Sequence, residues 1–257
     1  MQKDRYCRLR FLSREDFSDD LALFRFDADE SLDFTPGQYA TLGVHPDGMK
    51  RPLLRPYSLA SAPHDDELEF FIELVDEGKL TPRLWTLSTG DRIWMRKKIV
   101  GRFVLDQSRH HHIMASTVTG VAPYVSIMRA QAHALERGHL DAPHQMLILH
   151  GASRSWEFGT YLDELTTAAA RYDWLSYVPT VSRPWEDPDW TGEVGRVEDV
   201  MRKHLDTSGF DVADTAAYTC GHPQMIDKAQ GILQRARLDD DHIHEEKYFV
   251  ERHQPAA

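Results

Sequence analysis

The stretch Arg55-Pro56-Tyr57-Ser58-Leu59-Ala60-Ser61 is the most informative part of this 257-residue chain. Within four residues it offers a guanidinium group, an aromatic ring and a hydroxyl. A flavin nucleotide needs these groups, because its pyrophosphate is charged and its large flat ring has polar edges. On a strand, Arg55 and Tyr57 project to one face and Ser58 to the other, so a bulge or a strand end is required for all three to converge. An ordinary polar strand is the alternative that this stretch leaves open by itself.

The composition is typical of a globular protein, with 41% hydrophobic and 28% charged residues and a length sufficient for two domains. No run approaches the roughly 18 apolar residues of a membrane helix, and the N-terminal segment lacks the apolar core of a signal peptide. Cys7 and Cys220, the two cysteines, supply neither a disulfide framework nor a four-cysteine iron–sulfur cluster. We therefore expect a monomeric, cytoplasmic protein without a metal site and without membrane association.

The net charge of −11 is unevenly spread, since residues 1–105 carry −2 and residues 106–257 carry −9. This balance argues against nucleic acid as a partner, because neutralising phosphates requires a basic face. One local exception holds five cations within eleven residues, namely Arg92, Arg96, Lys97, Lys98 and Arg102. This basic cluster is either a solvated surface or a docking patch for an acidic partner.

Two kinds of pattern divide the chain. Residues 1–105 contain short β-rich runs separated by turn signals, which indicate a closed barrel or a sandwich. A short helix is predicted at 80–87, with Thr81 as its N-cap and Pro82 at its first position. Residues 106–257 alternate strands with helices, which predicts a parallel sheet. Between the halves lies His110-His111-His112; because adjacent strand residues point to opposite faces, a surface link is favoured over a metal site.

Ligands of parallel sheets bind at the carboxyl ends of the strands, and several motifs fall at such ends. The turn Thr117–Val121 opens a helix and offers backbone N–H groups to an anion. The next two predicted strands are followed by Ser153-Arg154 and Ser182-Arg183, and Arg196 follows in a later loop. A guanidinium fork distinguishes a phosphate from a hydroxyl. The arginines together predict a phosphate subsite, although each alone is typical of a surface.

The last strand that the pattern predicts ends in Cys220-Gly221-His222-Pro223. A glycine at this position allows the backbone to approach a planar ligand closely. A cysteine at a strand end is more often a small buried apolar residue than a nucleophile. We therefore expect Cys220 to have a steric and packing role beside a ring.

Taken in order, R-P-Y-S, G-K-L-T-P-R-L (Gly78–Leu84), T-G-V-A-P-Y and C-G-H-P-Q-M resemble the ferredoxin–NADP+ reductase superfamily, most closely its bacterial-type ferredoxin/flavodoxin–NADP+ reductases. The resemblance spans essentially the whole chain. It implies an N-terminal antiparallel β-barrel that holds FAD and a C-terminal Rossmann-like parallel sheet that holds NADP(H), with a C-terminal tail that contacts FAD. It also implies hydride transfer from NADPH to flavin N5, followed by one-electron transfers to ferredoxin or flavodoxin.

The resemblance assigns roles to individual residues. The residues implied to be catalytic are Tyr57, Ser58, Thr119 and Cys220. Those implied to bind FAD are Arg55, Pro56, Tyr57, Ser58, Ile72, Lys79, Leu80, Thr81, Thr119, Tyr248 and Phe249. Those implied to bind NADP(H) are Thr119, Gly120, Ser153, Arg154, Ser182, Arg183, Arg196, Cys220 and Gly221. In this interpretation Ser58 and Thr119 position the rings, and no residue acts as a general acid or base.

The chain departs from the family pattern at two places. Glycine is usual where Val118 stands, so the resemblance implies a wider dinucleotide turn or a less tightly held nicotinamide. The tail continues through Val250–Ala257, with His253-Gln254 where one bacterial subgroup has small and aromatic residues. Which residue of the tail covers the flavin stays open at this point.

Three other functions remain as alternatives. Two are enzymatic: the reductase component of an oxygenase, and an NADPH-dependent reductase of free flavins or quinones. The third is a sensing module that binds FAD or a nucleotide without turnover. Two complete ligand motifs in one chain disfavour the sensor, because a sensor needs only one ligand site.

Overall fold

The computed structural model describes residues 5–45 and 52–247. Tyr248 and Phe249, which the resemblance places against FAD, lie outside these ranges. The first half of the described chain forms strands β1 (Tyr6–Ser18), β2 (Leu21–Ala28), β3 (Tyr39–Val44), β4 (Leu53–Ser58), β5 (Leu68–Glu73) and β6 (Arg92–Arg96), with helix α1 (Thr81–Leu84) before β6.

The second half alternates strands with helices. Its elements are β7 (His111–Thr117), α2 (Ala122–Glu136), β8 (Gln145–Ala152), α3 (Tyr161–Arg171), β9 (Leu175–Val181), β10 (Glu193–Val194), α4 (Val197–Thr207), β11 (Thr215–Gly221), α5 (Pro223–Arg235) and β12 (Ile243–Lys247).

The first six strands form an antiparallel barrel in the order β4-β3-β6-β1-β2-β5. Its interior is filled by aromatic and aliphatic side chains from alternate strand positions, including the fully buried Phe24, Phe26 and Phe70. The edge strands β4 and β5 approach each other where the backbone N–H of Ala60 donates to the Glu69 carbonyl at 3.0 Å. The barrel is therefore nearly closed, as the antiparallel-barrel prediction requires.

Helix α1 differs from its predicted form. It begins at Thr81 and contains four residues, with Leu80 as its cap and no side-chain cap hydrogen bond. The Thr81 hydroxyl instead accepts from the Val75 N–H at 3.0 Å and donates to the Val75 carbonyl at 3.2 Å. The prediction of Thr81 as the N-cap is wrong, because this hydroxyl closes the turn that precedes the helix.

The second six strands form a parallel sheet in the order β10-β9-β8-β7-β11-β12. Neighbouring residues of β7 point to opposite faces: Met114 packs beneath α2 and α3, whereas Ile113 packs beneath α4 and α5. Both faces are therefore covered by helices, as expected for a parallel sheet with near-continuous apolar strands. The predicted α/β architecture is confirmed.

The histidine tract begins strand β7 and is not a surface link. His112 is fully buried beside His144, with their ring nitrogens 3.0 Å apart, whereas His110 is exposed and pairs with Asp214 at 3.1 Å. Burial and the neighbouring His144 lower the pKa of His112 to about 3. Among the residues that the structure describes, no three His, Cys, Asp or Glu side chains are grouped to hold a metal ion. Over those same ranges, every helix is too short or too polar to span a membrane.

Arg129 of α2 joins the two halves of the chain. Its guanidinium group contacts Asp65 at 3.2 Å and Glu69 at 2.7 Å on the barrel side, and Glu164 of α3 at 2.6 Å. Only 19% of the Arg129 side chain is exposed. Nearby, the Phe71 and Tyr161 rings meet edge to face at 5.3 Å. The interface thus combines a half-buried charge network with aromatic packing.

We expect Arg129→Ala to lower the free energy of unfolding by about 3 kcal/mol, because removing one partner leaves the others charged and poorly solvated. Urea denaturation of the purified protein measures this change. Arg171→Ala is the matched control, since it breaks the exposed Arg171–Glu136 pair and should cost about 1 kcal/mol or less. Equal losses for the two variants would show that the Arg129 network does not hold the interface.

Candidate functional site

The flavin motif lies on the last strand before the barrel's open edge. Strand β4 ends at Ser58, which pairs with Tyr39 of β3. The Tyr57 ring packs against the barrel core but remains partly exposed. Burial raises the pKa of Tyr57, so its hydroxyl stays protonated at neutral pH. The strand end that the sequence required at Ser58 is present.

Ser58 meets a carboxyl group from the other half of the chain. Its hydroxyl donates to Glu246 Oε1 at 2.7 Å. Glu246 lies on β12, where it pairs with Cys220 of β11. Burial raises the pKa of Glu246, and the Ser58 hydrogen bond lowers it in part. Sequence reasoning assigned no acid or base and missed this residue; the only signal was its place in Glu246-Lys247-Tyr248-Phe249, the tail segment that resembles the family.

The predicted FAD contacts on β5 and α1 divide into two kinds. Ile72 and Leu80 are buried in the barrel core. Lys79, Leu80 and Thr81 stand at the start of α1, where backbone N–H groups have no acceptor one turn earlier in the helix; Pro82, the next residue, has no N–H. A Cβ on Gly78 would lie 2.7 Å from the Val75 carbonyl, which shows how tightly this turn is folded.

These donors suit FAD. Arg55 and the N–H groups of the α1 turn are partners for a pyrophosphate, Tyr57 provides a plane for a ring, and Ser58 provides a polar atom at the strand end. The residues present therefore fit the cofactor that the motif predicts.

A cleft of about 500 Å³ runs along the carboxyl ends of the parallel strands. Its floor comes from the ends of β7, β8, β9 and β11, and one wall comes from the barrel, including Asp20 and Glu73. The predicted nucleotide residues that line it are Thr119, Ser153, Arg154, Ser182, Arg183, Arg196 and Gly221. The structure thus brings together in one cavity most of the residues assigned to NADP(H).

The turn after β7 has a strained backbone. Val118 has φ 43°, a left-handed conformation that is costly for a β-branched residue. The Val118 carbonyl accepts a hydrogen bond from Nε2 of the fully buried His150 at 2.9 Å. Burial lowers the pKa of His150 to about 4. His150 is therefore neutral, and because a carbonyl only accepts, Nε2 carries the proton while Nδ1 accepts from Tyr177 at 3.2 Å. This buried pair fixes the turn.

Two glycines let the turn after β7 approach the end of β11. A Cβ on Gly120 would lie 2.3 Å from the Cys220 carbonyl, and one on Gly221 would lie 2.3 Å from the Thr117 hydroxyl. The Thr117 hydroxyl accepts from the His222 N–H at 2.9 Å. Glycine is needed at position 221 because the end of β11 packs closely against Thr117, whether or not a ligand is bound.

Cys220 does not line the cleft beside its neighbour Gly221. It is fully buried within the core cluster between the sheet and helix α2. Any influence of Cys220 on a ring in the cleft therefore acts through packing and through its backbone, which contacts Gly120.

The three predicted phosphate-binding arginines, Arg154, Arg183 and Arg196, all line the cleft. Arg154 and Arg183 follow adjacent strands, and the Arg183 N–H donates to the Ser153 carbonyl at 3.0 Å. Arg154 Nη1 contacts Glu157 at 2.9 Å, and Arg154 Nη2 donates to Glu186. The strand ends in the sequence predicted that the arginines would share one site. The sequence did not predict that Glu157 and Glu186 would contact Arg154.

Comparisons with known proteins agree with this architecture. Residues 8–103 match the oxidoreductase FAD-binding domain, and residues 114–231 match the oxidoreductase NAD-binding domain. A ferredoxin–NADP reductase from Pseudomonas aeruginosa is 30% identical over 240 residues, covering 87% of each chain. The reductase component of phenol 2-monooxygenase from Pseudomonas sp. strain CF600 is 30% identical over 226 residues, covering 86% of this chain and 60% of that protein.

Among solved structures, a ferredoxin NADP+ reductase from Neisseria gonorrhoeae, with bound FAD and NADP, superimposes with a TM-score of 0.78. The match covers 95% of this chain and 99% of that one, and its 22% sequence identity makes it a likeness of fold.

The barrel, the parallel sheet and the two matched domains define an oxidoreductase that binds FAD and a nicotinamide nucleotide. With a relative 30% identical over most of both chains, the protein belongs to the ferredoxin–NADP reductase family. The family that its motifs resemble is therefore confirmed.

The strain at Val118 can be measured with two substitutions. Both Val118→Ala and Val118→Gly lose the packing of the valine side chain, but only glycine adopts φ 43° without a Cβ clash. We expect the glycine variant to be more stable than the alanine variant by about 1 kcal/mol, which reverses their usual order. Urea denaturation of both variants measures the difference. An alanine variant as stable as the glycine variant would mean that the turn relaxes.

Proposed function

We propose that this protein transfers electrons from NADPH through FAD to a ferredoxin or flavodoxin. The observation that carries the proposal is the contact between Ser58 and Glu246. It joins the flavin motif of the barrel to the carboxyl edge of the parallel sheet, where nucleotides bind. We divide the FAD half from the nucleotide half at 105/106, in the connection between β6 and β7.

FAD, when bound, accepts two electrons with a hydride from NADPH and passes electrons on singly. The chain contributes binding and alignment. Arg55 and the backbone of the Lys79–Thr81 turn would hold its phosphates, and Tyr57 would stack on its ring system.

Ser58 and Glu246 would supply a proton relay to FAD bound against the end of β4. Burial makes Glu246 hold a proton more readily than an exposed carboxyl. The Ser58 hydroxyl, at the end of β4, donates to that carboxyl at 2.7 Å. We therefore assign proton exchange to this pair, a role that the sequence interpretation had given to no residue.

The nicotinamide end of the cleft is shaped by the turn after β7. Thr119 contributes to its surface, and His150 keeps the turn in place through the Val118 carbonyl. This arrangement restrains the turn, since His150 is fully buried and bonds a backbone carbonyl. A rigid turn supports hydride transfer because a small error in ring position is costly.

The adenosine end of the cleft favours a phosphate. Arg154, Arg183 and Arg196 bring three positive charges to the lining of the cleft, and guanidinium groups bind phosphate with bidentate geometry. This arrangement supports NADP(H) as the nucleotide.

A second candidate is the reductase component of an oxygenase, because one such protein is 30% identical over 226 residues. The two functions differ in the electron acceptor. The direct test supplies the FAD-loaded protein with NADPH and flavodoxin under anaerobic conditions and follows flavodoxin absorbance. Carrier reduction supports the proposal; flavin bleaching without carrier reduction, for a panel of ferredoxins and flavodoxins, would contradict the assignment of the carrier.

Nucleotide preference is tested at Arg183. We expect Arg183→Ala to lower kcat/KM for NADPH about tenfold or more, because one charged partner of the 2′-phosphate is lost. The value for NADH should change little. Arg202→Ala is the control, since Arg202 on α4 is about as exposed as Arg183 and likewise pairs with one carboxylate, that of Asp206. Equal losses with both nucleotides would refute the phosphate role of Arg183.

The basic cluster lies close to the flavin motif. Val100 pairs with Tyr39, and Tyr39 pairs with Ser58, so one strand separates Val100 from the motif. On either side of Val100, Lys98 and Arg102 are exposed. Two other members are neutralised within the barrel, since Arg92 contacts Asp29 at 2.7 Å and Lys97 contacts Glu30 at 2.8 Å. Of the three other members, Arg96, Lys98 and Arg102, the last two flank Val100 and are therefore the best candidates for contact with an acidic carrier.

Lys98→Glu with Arg102→Glu should slow reduction of an acidic carrier and spare reduction of a small neutral quinone, because charges act within about 8–10 Å in physiological salt. Raising the salt concentration should have the same selective effect on the unmodified protein. The control reverses Arg202 and Lys203 on α4, which changes the net charge equally. If carrier and quinone reduction fall alike, this surface is not the docking site.

A further inference from the structure

The phosphate end of the cleft contains a negative charge that competes with the nucleotide. Glu186 Oε2 accepts a hydrogen bond from Arg154 Nη2, and Glu186 Oε1 lies 3.7 Å from Arg183 Nη1. One carboxylate thus bridges the two arginines that follow β8 and β9. A carboxylate and a phosphate use the same guanidinium N–H groups, so both cannot be bound fully by this pair at once.

The backbone places Glu186 at this position. The turn Pro184–Glu186 directly follows Arg183 and is followed by Asp187, which is 6% exposed. Asp187 accepts from the Ser155 N–H at 2.7 Å, which ties the turn to the segment after Arg154. The carboxylate of Glu186 is therefore held near both guanidinium groups by more than its own ion pairs.

Glu157, the second carboxylate of this region, has a different role. It accepts from the Ser153 N–H at 2.8 Å and from Arg154 at 2.9 Å, and only 16% of its side chain is exposed. Glu157 orients Arg154 from the protein side. Glu186 is more exposed, at 34%, and contacts the opposite terminal nitrogen of the same guanidinium group. Glu186 is thus the carboxylate that a nucleotide phosphate would displace.

We propose that Glu186 sets the nucleotide specificity of this protein by occupying the arginine pair in place of a 2′-phosphate. The inference rests on the proposed use of NADP(H). NADP(H) must displace the carboxylate and then lies beside its negative charge, which is unfavourable. NAD(H) carries a 2′-hydroxyl, which can donate to Glu186 and has no charge to repel. The arginines favour binding of NADP(H) over NAD(H). Glu186 therefore reduces the difference between the two affinities.

The experiment compares Glu186→Gln with the unmodified protein, both loaded with FAD. Isothermal titration calorimetry with NADP+ and with NAD+ gives the two dissociation constants. We expect NADP+ to bind the variant about tenfold more tightly, because the amide is neutral and releases both arginines. NAD+ should bind equally or more weakly, so the ratio of the two constants should rise about tenfold.

Glu136→Gln is the matched control. It removes the same charge from the Arg171 ion pair, at the end of α2 remote from the cleft, because α2 leaves the carboxyl edge at Ala122 and runs for fifteen residues. Tighter NADP+ binding in both variants would overturn the inference and indicate a general charge effect. Tight NADP+ binding by the unmodified protein, unchanged in Glu186→Gln, would overturn the inference while leaving the proposed function intact. If the unmodified protein binds neither nucleotide, both fail.

Discussion

The ion network around Arg129 is the constraint on which the rest of the structure depends. The flavin motif belongs to the barrel, whereas the nucleotide edge belongs to the parallel sheet. Neither half can align the two by itself. Arg129 contacts two barrel carboxylates and one carboxylate of α3 while remaining largely buried. Because these charges lose much of their hydration, a displaced interface would leave them unpaired at a cost of several kcal/mol. The network therefore penalises any movement of one half against the other.

Because the interface is fixed, residues of both halves line the same cleft. The cleft has a floor of strand ends and a wall from the barrel. The Ser58–Glu246 hydrogen bond also crosses from one half to the other. Burial raises the pKa of the Glu246 carboxyl group in this contact. The cleft and the Ser58–Glu246 contact are thus consequences of one packing arrangement. The strained Val118 turn persists because the buried His150 side chain stabilises the Val118 carbonyl.

The sequence predicted the elements whose patterns are local. Strands such as β8 and β11 are continuous apolar runs, and the arginines that follow β8 and β9 converge because parallel strands end at one edge. Strand β12 was not predicted, because Ile-His-Glu-Glu-Lys has no apolar alternation and becomes a strand only by pairing with β11. Glu246 was missed for that reason. The partners of Arg129 lie 35 to 64 positions away along the chain, and no spacing rule identifies them.

The role assigned to each FAD and nucleotide residue remains a prediction, because roles depend on the bound groups and not on the fold alone. Rapid mixing tests most directly whether the Arg129 network aligns the two halves. The rate at which saturating NADPH bleaches the flavin of the FAD-loaded protein is measured for Arg129→Ala and for the unmodified protein. We expect a rate at least tenfold lower in the variant, with FAD content and NADP+ affinity unchanged, because a displacement of about 1 Å between reacting rings is costly. An unchanged bleaching rate would contradict the claim that this network aligns the two halves.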